Sequence, residues 1–480
     1  MEKQTASVKS IHFILMFVFC SLISLYAAAQ DYTLSSKDTS EVRFLNQRKF
    51  FIYKTSKGET LYSISKKFKI PQEEILEFNA DLKDGLQPKM KLWVPAWSHL
   101  KKAEEKKEDK VEERVADQQY NIALMTALNI SKNYSIDPAL VDSNAVNETI
   151  DKESLSNLEF YEGMLKAVDS LEKKKFRVHL FVYDTENDSL KTVELLKNPE
   201  VKKADLIISN GSVTVIRLLN DFSKGHHIPF ASCALNTAEM INGNADAMAI
   251  FPASLTQCRD MGKIAAEKYK GENCIVLKTP VNKEYERIVA FWSGWSSASD
   301  AKLKTVTYSD SVYLPLKDSL SKKLNNVIFV PSSNEGLVSV LVNRLKEYSE
   351  DYKFTLIGLP TWQYFETIDP LMLELLDVHI FTSSYIDYHS LHALAFRKSF
   401  YSTYSIEPTE PAFEGFDVML LLGNELMIHG KKIRESLPGK LTGGIYSSYR
   451  FEKTSEHSAL ENHYIAVCKY RNYELKKAEE

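Results

Sequence analysis

The apolar positions of this chain follow two different periods in two different places. Between residues 51 and 97 a short unit can be read directly. Phe51-Ile52-Tyr53-Lys54-Thr55 predicts a strand, and Gly58-Glu59-Thr60 predicts a turn opening a helix. Leu61, Ile64 and Phe68 then fall on one face of that helix. Pro71 suits the first turn of a second helix, which carries Ile75, Leu76 and Phe78 and has Asn79 near its end. Leu92-Trp93-Val94-Pro95 predicts a closing strand. The order is strand–helix–helix–strand.

From residue 119 onward, short apolar runs alternate with amphipathic segments. Strands are expected at residues 120–125, 178–183, 206–209, 230–233, 274–277, 327–330 and 354–357. Helices are expected at 160–174 and 190–197, and another where Leu337, Leu341, Leu345 and Tyr348 line one face. Apolar strands alternating with helices predict an α/β fold with parallel sheets covered on both faces. Residues 119–478 are too many for one such sheet, so two lobes are expected.

The remaining segments are of other kinds. Lys3 and Lys9 precede an apolar run at residues 11–25 that ends in Ala27-Ala28-Ala29-Gln30, the pattern of a secretory signal peptide over residues 1–29. The competing reading is an uncleaved anchor. Residues 30–48 are polar and are expected to lack regular structure. Residues 98–118 are dominated by Lys, Arg, Glu and Asp, a composition that cannot bury a face and predicts a solvated linker.

Composition narrows the function classes. The chain has 480 residues, 44% hydrophobic and 26% charged, with net charge −4, so it can build a sizeable core and carries no basic excess for nucleic acid. Cys233, Cys258, Cys274 and Cys468 follow the apolar run without any C-x-x-C spacing, and buried free thiols are favoured over a disulfide framework. No nucleophile elbow, zinc-protease motif or phosphate-binding loop occurs. Ser63-x-x-Lys66 and Ser319-x-x-Lys322 match a common pattern on solvated helix faces. Asp387, His389 and His392 read as a helix cap with surface histidines rather than a metal site. No catalytic residue, metal or cofactor is assigned, and the chain is read as non-enzymatic.

The small unit resembles the LysM carbohydrate-binding domain through Gly58-Glu59-Thr60-Leu61, Ile64, Ile75, Asn79, Leu86, Leu92 and Val94-Pro95. It departs from that pattern at Thr55, Glu59 and Lys89, where Val, Asp and Gly are usual. The resemblance implies a βααβ module over residues 50–97. It also implies a groove for N-acetylglucosamine-containing glycans of peptidoglycan, lined by Gly58, Glu59, Thr60 and Leu61 in one loop and Asn79, Ala80, Asp81 and Leu82 in the other.

Residues 119–478 resemble type I periplasmic binding proteins of the branched-chain amino-acid-binding class. Ser209-Asn210-Gly211-Ser212, Ile228-Pro229-Phe230-Ala231-Ser232 and residues 247–254 carry the resemblance. So do Glu414-Gly415-Phe416-Asp417 and Gly443-Gly444-Ile445 followed by Tyr449-Arg450-Phe451. It implies three crossings between lobes, near Pro252, Asp387 and Gly443. Lobe 1 would then hold about 119–252 and 388–443, and lobe 2 about 253–387 and 444–478. Ligands of such folds sit outside the carboxyl ends of parallel strands. That places Ser209, Asn210, Ser212, Ser232 and Asn236 on one side. Asn282, Ser332, Ser333, Asn334, Thr361, Trp362 and Ser383 fall on the other. The competing reading is that these residues cap helices and turns.

Together the modules describe a secreted, envelope-located, wall-associated binding protein. A small polar or amino-acid-like ligand and an envelope protein are its candidate partners, beside peptidoglycan. The alternatives are a substrate-binding receptor of an ABC-type amino-acid uptake system and, less favoured, a wall hydrolase.

Overall fold

The computed structural model describes residues 38, 41–45, 48–68, 70, 72–79, 82, 86–95, 119–133, 150–279, 282–308, 314–453, 455 and 457–478. The expected signal peptide and charged linker lie outside the described residues, as do Ala80 and Asp81. The chain divides into a unit over residues 1–112 and a unit over residues 113–480.

The first unit is a three-stranded antiparallel sheet with two short helices. β1 is Val42–Leu45, β2 Arg48–Lys54 and β3 Lys91–Pro95, in the order β1-β2-β3. α1 is Leu61–Phe68 and α2 is Gln72–Glu77. Ile64, Phe68, Ile75, Leu92 and Val94 are fully buried between helices and sheet. Each such side chain contributes roughly 1.5–3 kcal/mol of transfer free energy. β1 corrects the expectation that residues 30–48 lack structure. The β-prone run Val42-Arg43-Phe44-Leu45 pairs antiparallel with β2, Val42 opposite Phe51, and extends the sheet by one strand.

The second unit has two sheets. In lobe 1, β4 (Gln119–Thr126), β5 (Arg177–Asp184), β6 (Leu206–Ser209), β7 (Phe230–Ser232) and β8 (Ala247–Ala249) are parallel. Helices α3 (Lys152–Glu172), α4 (Ser189–Leu195) and α5 (Val213–His226) connect them. In lobe 2, β9 (Asn273–Lys278), β10 (Lys304–Thr307), β11 (Asn326–Phe329), β12 (Phe354–Gly358) and β13 (His379–Thr382) form a second parallel sheet in the order β10-β9-β11-β12-β13. Helices α6 (Ser254–Lys268), α7 (Asn282–Ala298) and α8 (Glu335–Lys346) belong to this lobe. The apolar strands that the sequence predicts are the buried ones: β6, β11 and β12 are buried at every position.

The chain then returns to lobe 1 through α9 (Leu391–Tyr404) and α10 (Glu410–His429). α10 lies against α3 at backbone contact. A Cβ on Gly163 would fall 1.9 Å from the Ala412 carbonyl oxygen, and one on Gly415 1.9 Å from that of Phe160. Only glycine permits this approach, and it fixes where the first turns of α10 sit.

The third crossing corrects the sequence reading. β14 (Leu441–Gly443) and β15 (Ser448–Lys453) form an antiparallel hairpin, as the Gly443-Gly444 pattern suggests. β15 pairs with β16 (Leu460–Asn462), and β16 pairs with β8, so all three extend the lobe 1 sheet. Residues 444–462 therefore belong to lobe 1, and the chain crosses after Asn462. Only β17 (Ala466–Arg471) and β18 (Glu474–Lys477) join lobe 2, where β17 pairs with β13. Buried apolar residues on β15 and β16, Tyr449, Phe451 and Leu460, pack into the lobe 1 core and hold them there.

The crossings are tied to one another. Asn462 Nδ2 donates to the Ile250 carbonyl at 3.0 Å, and its Oδ1 accepts from the Arg450 and Tyr464 amides. Glu461 accepts from the Ala253 amide at 2.8 Å. The Tyr385 amide donates to the Tyr446 carbonyl at 2.8 Å. Among the described residues no helix is long and apolar enough to cross a membrane.

Candidate functional site

In the small module the expected groove residues divide. Gly58 has φ 88°, and a Cβ there would meet nothing within 4 Å, so glycine is required by backbone conformation rather than by crowding. Glu59 is engaged internally: it accepts from the Tyr53 hydroxyl and from the Ser56 amide. Lys67 donates to the same tyrosine oxygen at 2.9 Å and pairs with Asp38 at 3.1 Å. Thr60 caps α1 reciprocally with Ser63, each hydroxyl accepting the other's amide. Leu61 packs against the module core.

Asn79 has a structural task that the sequence left mixed with binding. Its Nδ2 donates to the carbonyls of Ile75 (2.6 Å) and Trp93 (2.9 Å), and its Oδ1 accepts from the Trp93 amide at 2.8 Å. It fastens the end of α2 to β3. Leu82 is buried in the core.

The departures from the LysM pattern have a physical counterpart. Lys89 takes φ 67°, the left-handed conformation for which glycine is usual. The Thr55 hydroxyl donates to the Gln87 carbonyl at 2.6 Å and accepts from the Met90 amide at 2.9 Å, closing that same turn. A hydroxyl at position 55 thus braces a turn that carries a strained lysine.

In the second unit the expected ligand residues do stand at carboxyl ends of parallel strands, in two groups. Ser209 and Ser232 are register partners on β6 and β7. Both are fully buried; Ser209 Oγ accepts from the Gly211 amide and Ser232 Oγ meets Thr237 Oγ1 at 2.8 Å. Asn210 Nδ2 donates to Asn157 Oδ1 on α3 at 2.8 Å, while its own Oδ1 is buried without a hydrogen-bond partner. The Ser212 amide donates to Asn187, and its hydroxyl makes no cap to α5. Asn236 accepts from the Ser254 amide beside the first crossing.

In lobe 2, the buried Ser332 accepts from the Asn334 amide, and its carbonyl takes the indole N–H of the buried Trp362 at 2.8 Å. Asn334 caps α8 through the Leu337 amide. Ser333 is exposed, 3.5 Å from Arg287. Thr361 is exposed next to Trp362, and the Ser383 carbonyl accepts from the Ser447 hydroxyl. Asn282 begins α7, and its side chain lies outside the described residues. Most of these hydroxyls and amides therefore satisfy their own loops. Among the described residues no hydrogen bond joins the lobe 1 set to the lobe 2 set.

A set of side chains that the sequence reading did not single out sits between the lobes. α10 presents Glu410, Glu414 and Asp417 at i, i+4 and i+7, one helical face. Asp417 is 1% exposed and accepts the amides of Ile445 (2.9 Å), Tyr446 (2.6 Å) and Ser447 (3.0 Å), which shapes the β14–β15 loop. Burial raises its carboxyl to about 6 against the lowering effect of those amides. Glu410 accepts a 2.9 Å hydrogen bond from the Tyr364 hydroxyl, which follows β12 in lobe 2. Glu414 has no hydrogen bond or ion pair among the described residues; burial, then Glu410 and Asp417, push its carboxyl up to about 8.

Tyrosines lie near these carboxylates. Burial raises the Tyr446 and Tyr364 phenols, and Glu414 and Glu410 respectively raise them further. Tyr388 meets the Phe413 ring edge to face at 5.9 Å. The i, i+4 spacing of Glu410 and Glu414 was visible in the sequence. Two like charges on one helical turn are unfavourable unless something else uses them.

The expected cysteines are free and buried. Burial pushes the thiols of Cys258, Cys274 and Cys468 up to about 12, leaving them unreactive near neutrality. Asp387 accepts from the His389 amide, and His389 faces Glu474 at 3.7 Å.

Comparison with known proteins agrees with both halves. Residues 53–95 match the LysM domain model and form a LysM domain. The rest of the chain has the type I periplasmic binding protein fold. It is similar to the crystal structure of a branched-chain amino acid ABC transporter protein from Rhodospirillum rubrum, with TM-score 0.54, 10% identity, 75% of this chain and 100% of that one covered. It is also similar to an ABC-type branched-chain amino acid transporter protein from Rhodopseudomonas palustris, with TM-score 0.50, 12% identity, 75% of this chain and 95% of that one covered. At these identities the likeness shows the fold. No curated protein matches the chain in sequence.

Proposed function

We propose that this chain is a non-enzymatic envelope binding protein, held on peptidoglycan by its LysM domain, whose two-lobed unit captures a small ligand between the lobes. The observation that carries the reading is the joining of a LysM domain at residues 53–95 to a type I periplasmic binding protein fold in one chain. The small module supplies the wall tether, through N-acetylglucosamine-containing glycans. Its glycan-facing candidates narrow to the backbone at Gly58, Thr60 and Leu61, with Ala80 and Asp81 kept on sequence grounds, because the side chains of Glu59, Asn79 and Leu82 are engaged internally, the Thr60 hydroxyl caps α1 and Leu61 packs on the core. The two-lobed unit supplies the ligand response.

A protein fixed to the wall cannot shuttle freely to a permease, so the role is that of a sensor or regulator of envelope processes. Both structural relatives described above carry ABC transporter names, which favours an uptake receptor as the second reading. The LysM domain and the apolar amino-terminal run support an extracytoplasmic, wall-associated location.

The test is a pelleting assay with purified sacculi. Wild type is expected in the pellet, and a chain lacking residues 50–97 in the supernatant. Equal pelleting of both proteins refutes the tether. Native mass spectrometry of the purified full-length protein then reads ligand capture as a retained small molecule.

A further inference from the structure

The carboxylate pair on α10 has a surrounding that a helix surface does not need. Glu410 and Glu414 stand one turn apart, facing Tyr364 from lobe 2 and Tyr446 from the β14–β15 loop. Tyr388 lies beside them on the second crossing, 44% exposed. Glu414 also faces Cys233 at the end of β7. Arg397, a basic group near Tyr388, is held by Glu407 at 3.0 Å. A second feature points the same way independently of the acids. Tyr449 is 1% exposed, and its hydroxyl is buried without a partner beside Glu414, Asp417, Cys233 and Tyr446. Leaving such a hydroxyl unsatisfied costs about 1–3 kcal/mol.

Acids and aromatic rings share one complement, an organic cation, and the unpartnered hydroxyl oxygen can accept an N–H where that cation carries one. Aromatic faces attract cations by their quadrupole, and a carboxylate with no partner attracts them by charge. A bare metal ion is the poorer fit, because among the described residues no three His, Cys, Asp or Glu side chains cluster closely enough to hold one.

We propose that Glu410, Glu414 and the tyrosines 364, 388, 446 and 449 form a site for an organic ammonium group at the junction of the lobes. This deepens the ligand-capture reading and rests on it: the captured molecule carries an amine or quaternary nitrogen. Binding a cation would ionise Glu414, which is largely protonated at neutral pH because burial, Glu410 and Asp417 raise its carboxyl to about 8. Capture of a permanently charged ammonium would then release a proton. The groups that face Glu414 from neighbouring elements, Cys233, Tyr446 and Tyr449, all have raised pKa values and stay neutral.

The experiment is calorimetric titration of the full-length protein at pH 7 in phosphate, a buffer without an amine, with n-butylammonium, tetramethylammonium, sodium butyrate and n-butanol, and in parallel a pH-stat titration of the unbuffered protein with the same probes. The ammonium probes are expected to bind, and the pH-stat is expected to record a proton released. Butyrate and butanol are expected not to bind. Glu414→Gln is expected to weaken ammonium binding roughly tenfold or more, the worth of a charge-assisted contact, and to abolish the proton release. Glu410→Gln is the second variant, with circular dichroism confirming the fold of each. Glu162→Gln, a half-buried acid on α3 outside the set, is expected to bind as wild type.

Ammonium binding that survives in both glutamine variants, or butyrate and butanol binding as well as the amines, overturns the site. Retention of an anionic or uncharged molecule by the purified protein overturns the site but leaves ligand capture standing. No heat with any probe and no retained molecule overturns both.

Discussion

Tyr364 Oη donates a 2.9 Å hydrogen bond to Glu410 Oε2, tying the turn after β12 in lobe 2 to the first turn of α10 in lobe 1. The crossings are joined as well: Asn462 and Glu461 hold the first to the third, and the loop held by Asp417 meets the second. The bond therefore acts as a latch remote in sequence from the hinge.

Removing the latch should change lobe motion more than stability. Tyr364 is 58% exposed, so water competes for both partners and Tyr364→Phe should cost no more than about 1 kcal/mol. Small-angle scattering should nonetheless show a larger radius of gyration for the variant, as the open form gains population. Superimposable scattering profiles would mean that the hinge alone sets the lobe angle.

Lys89 should be a site of easy stabilisation. It holds φ 67° in a turn braced by Thr55. A left-handed non-glycine residue costs roughly 1–2 kcal/mol, so Lys89→Gly should slow amide exchange in β2 and β3 by close to tenfold. Thr55→Val removes the brace and should accelerate it. Unchanged exchange in Lys89→Gly would show that the turn is not strained.

The sequence and the structure part company at identifiable residues. Apolar strands buried on both faces leave an unmistakable run, and β6, β11 and β12 were legible for that reason. The βααβ unit was legible because Leu61, Ile64 and Phe68 keep a helical spacing. β1 was not, since a four-residue edge strand in a polar neighbourhood has no period to show. The third crossing was misplaced because Gly443-Gly444 marks a turn, and a turn does not say which sheet its strands extend. Ser and Asn at strand ends are equally suited to capping and to binding, and Ser209, Ser332 and Asn334 turn out to serve their own loops. The Glu410–Glu414 pair was in view as a spacing, but its meaning depends on Tyr364, Tyr446 and Tyr449, which only the fold brings to it.

Asp417 should be a strict structural requirement. Its carboxylate accepts three amides, from Ile445, Tyr446 and Ser447, and a Cβ on Gly444 would fall 2.2 Å from its Oδ2. Asparagine keeps the volume but turns one acceptor into a donor, facing amides that also donate. With the group 1% exposed, Asp417→Asn should destabilise the two-lobed unit by about 2–4 kcal/mol, read as a lower denaturation midpoint. An unchanged midpoint would show that the loop holds itself.

Glu414 should make stability fall as pH rises. Its ordinary pKa is 4.5, and burial with Glu410 and Asp417 lifts it to about 8 in the folded chain. Below 4.5 the side chain is protonated in both states and contributes no difference. Between 4.5 and 8 the folded state holds a proton that the unfolded state has lost, so the folded state loses stability with each step upward in pH. Above 8 both states are ionised, and the folded one carries an unpaired charge in a desolvated place. The full loss is on the order of 2–4 kcal/mol, allowing for partial solvent access. Glutamine has the same shape and no charge at any pH. Glu414→Gln should therefore match wild type near pH 4.5 and exceed it increasingly up to pH 9, in guanidinium denaturation followed by circular dichroism. Taking the difference between the two proteins at each pH cancels the part of the Asp417 contribution that does not depend on Glu414; the raised Asp417 carboxyl acts in the same direction at lower pH. A difference that stays constant from pH 5 to pH 9 would mean that Glu414 is already ionised and stabilised near neutrality, and the proton release expected on cation binding would vanish with it.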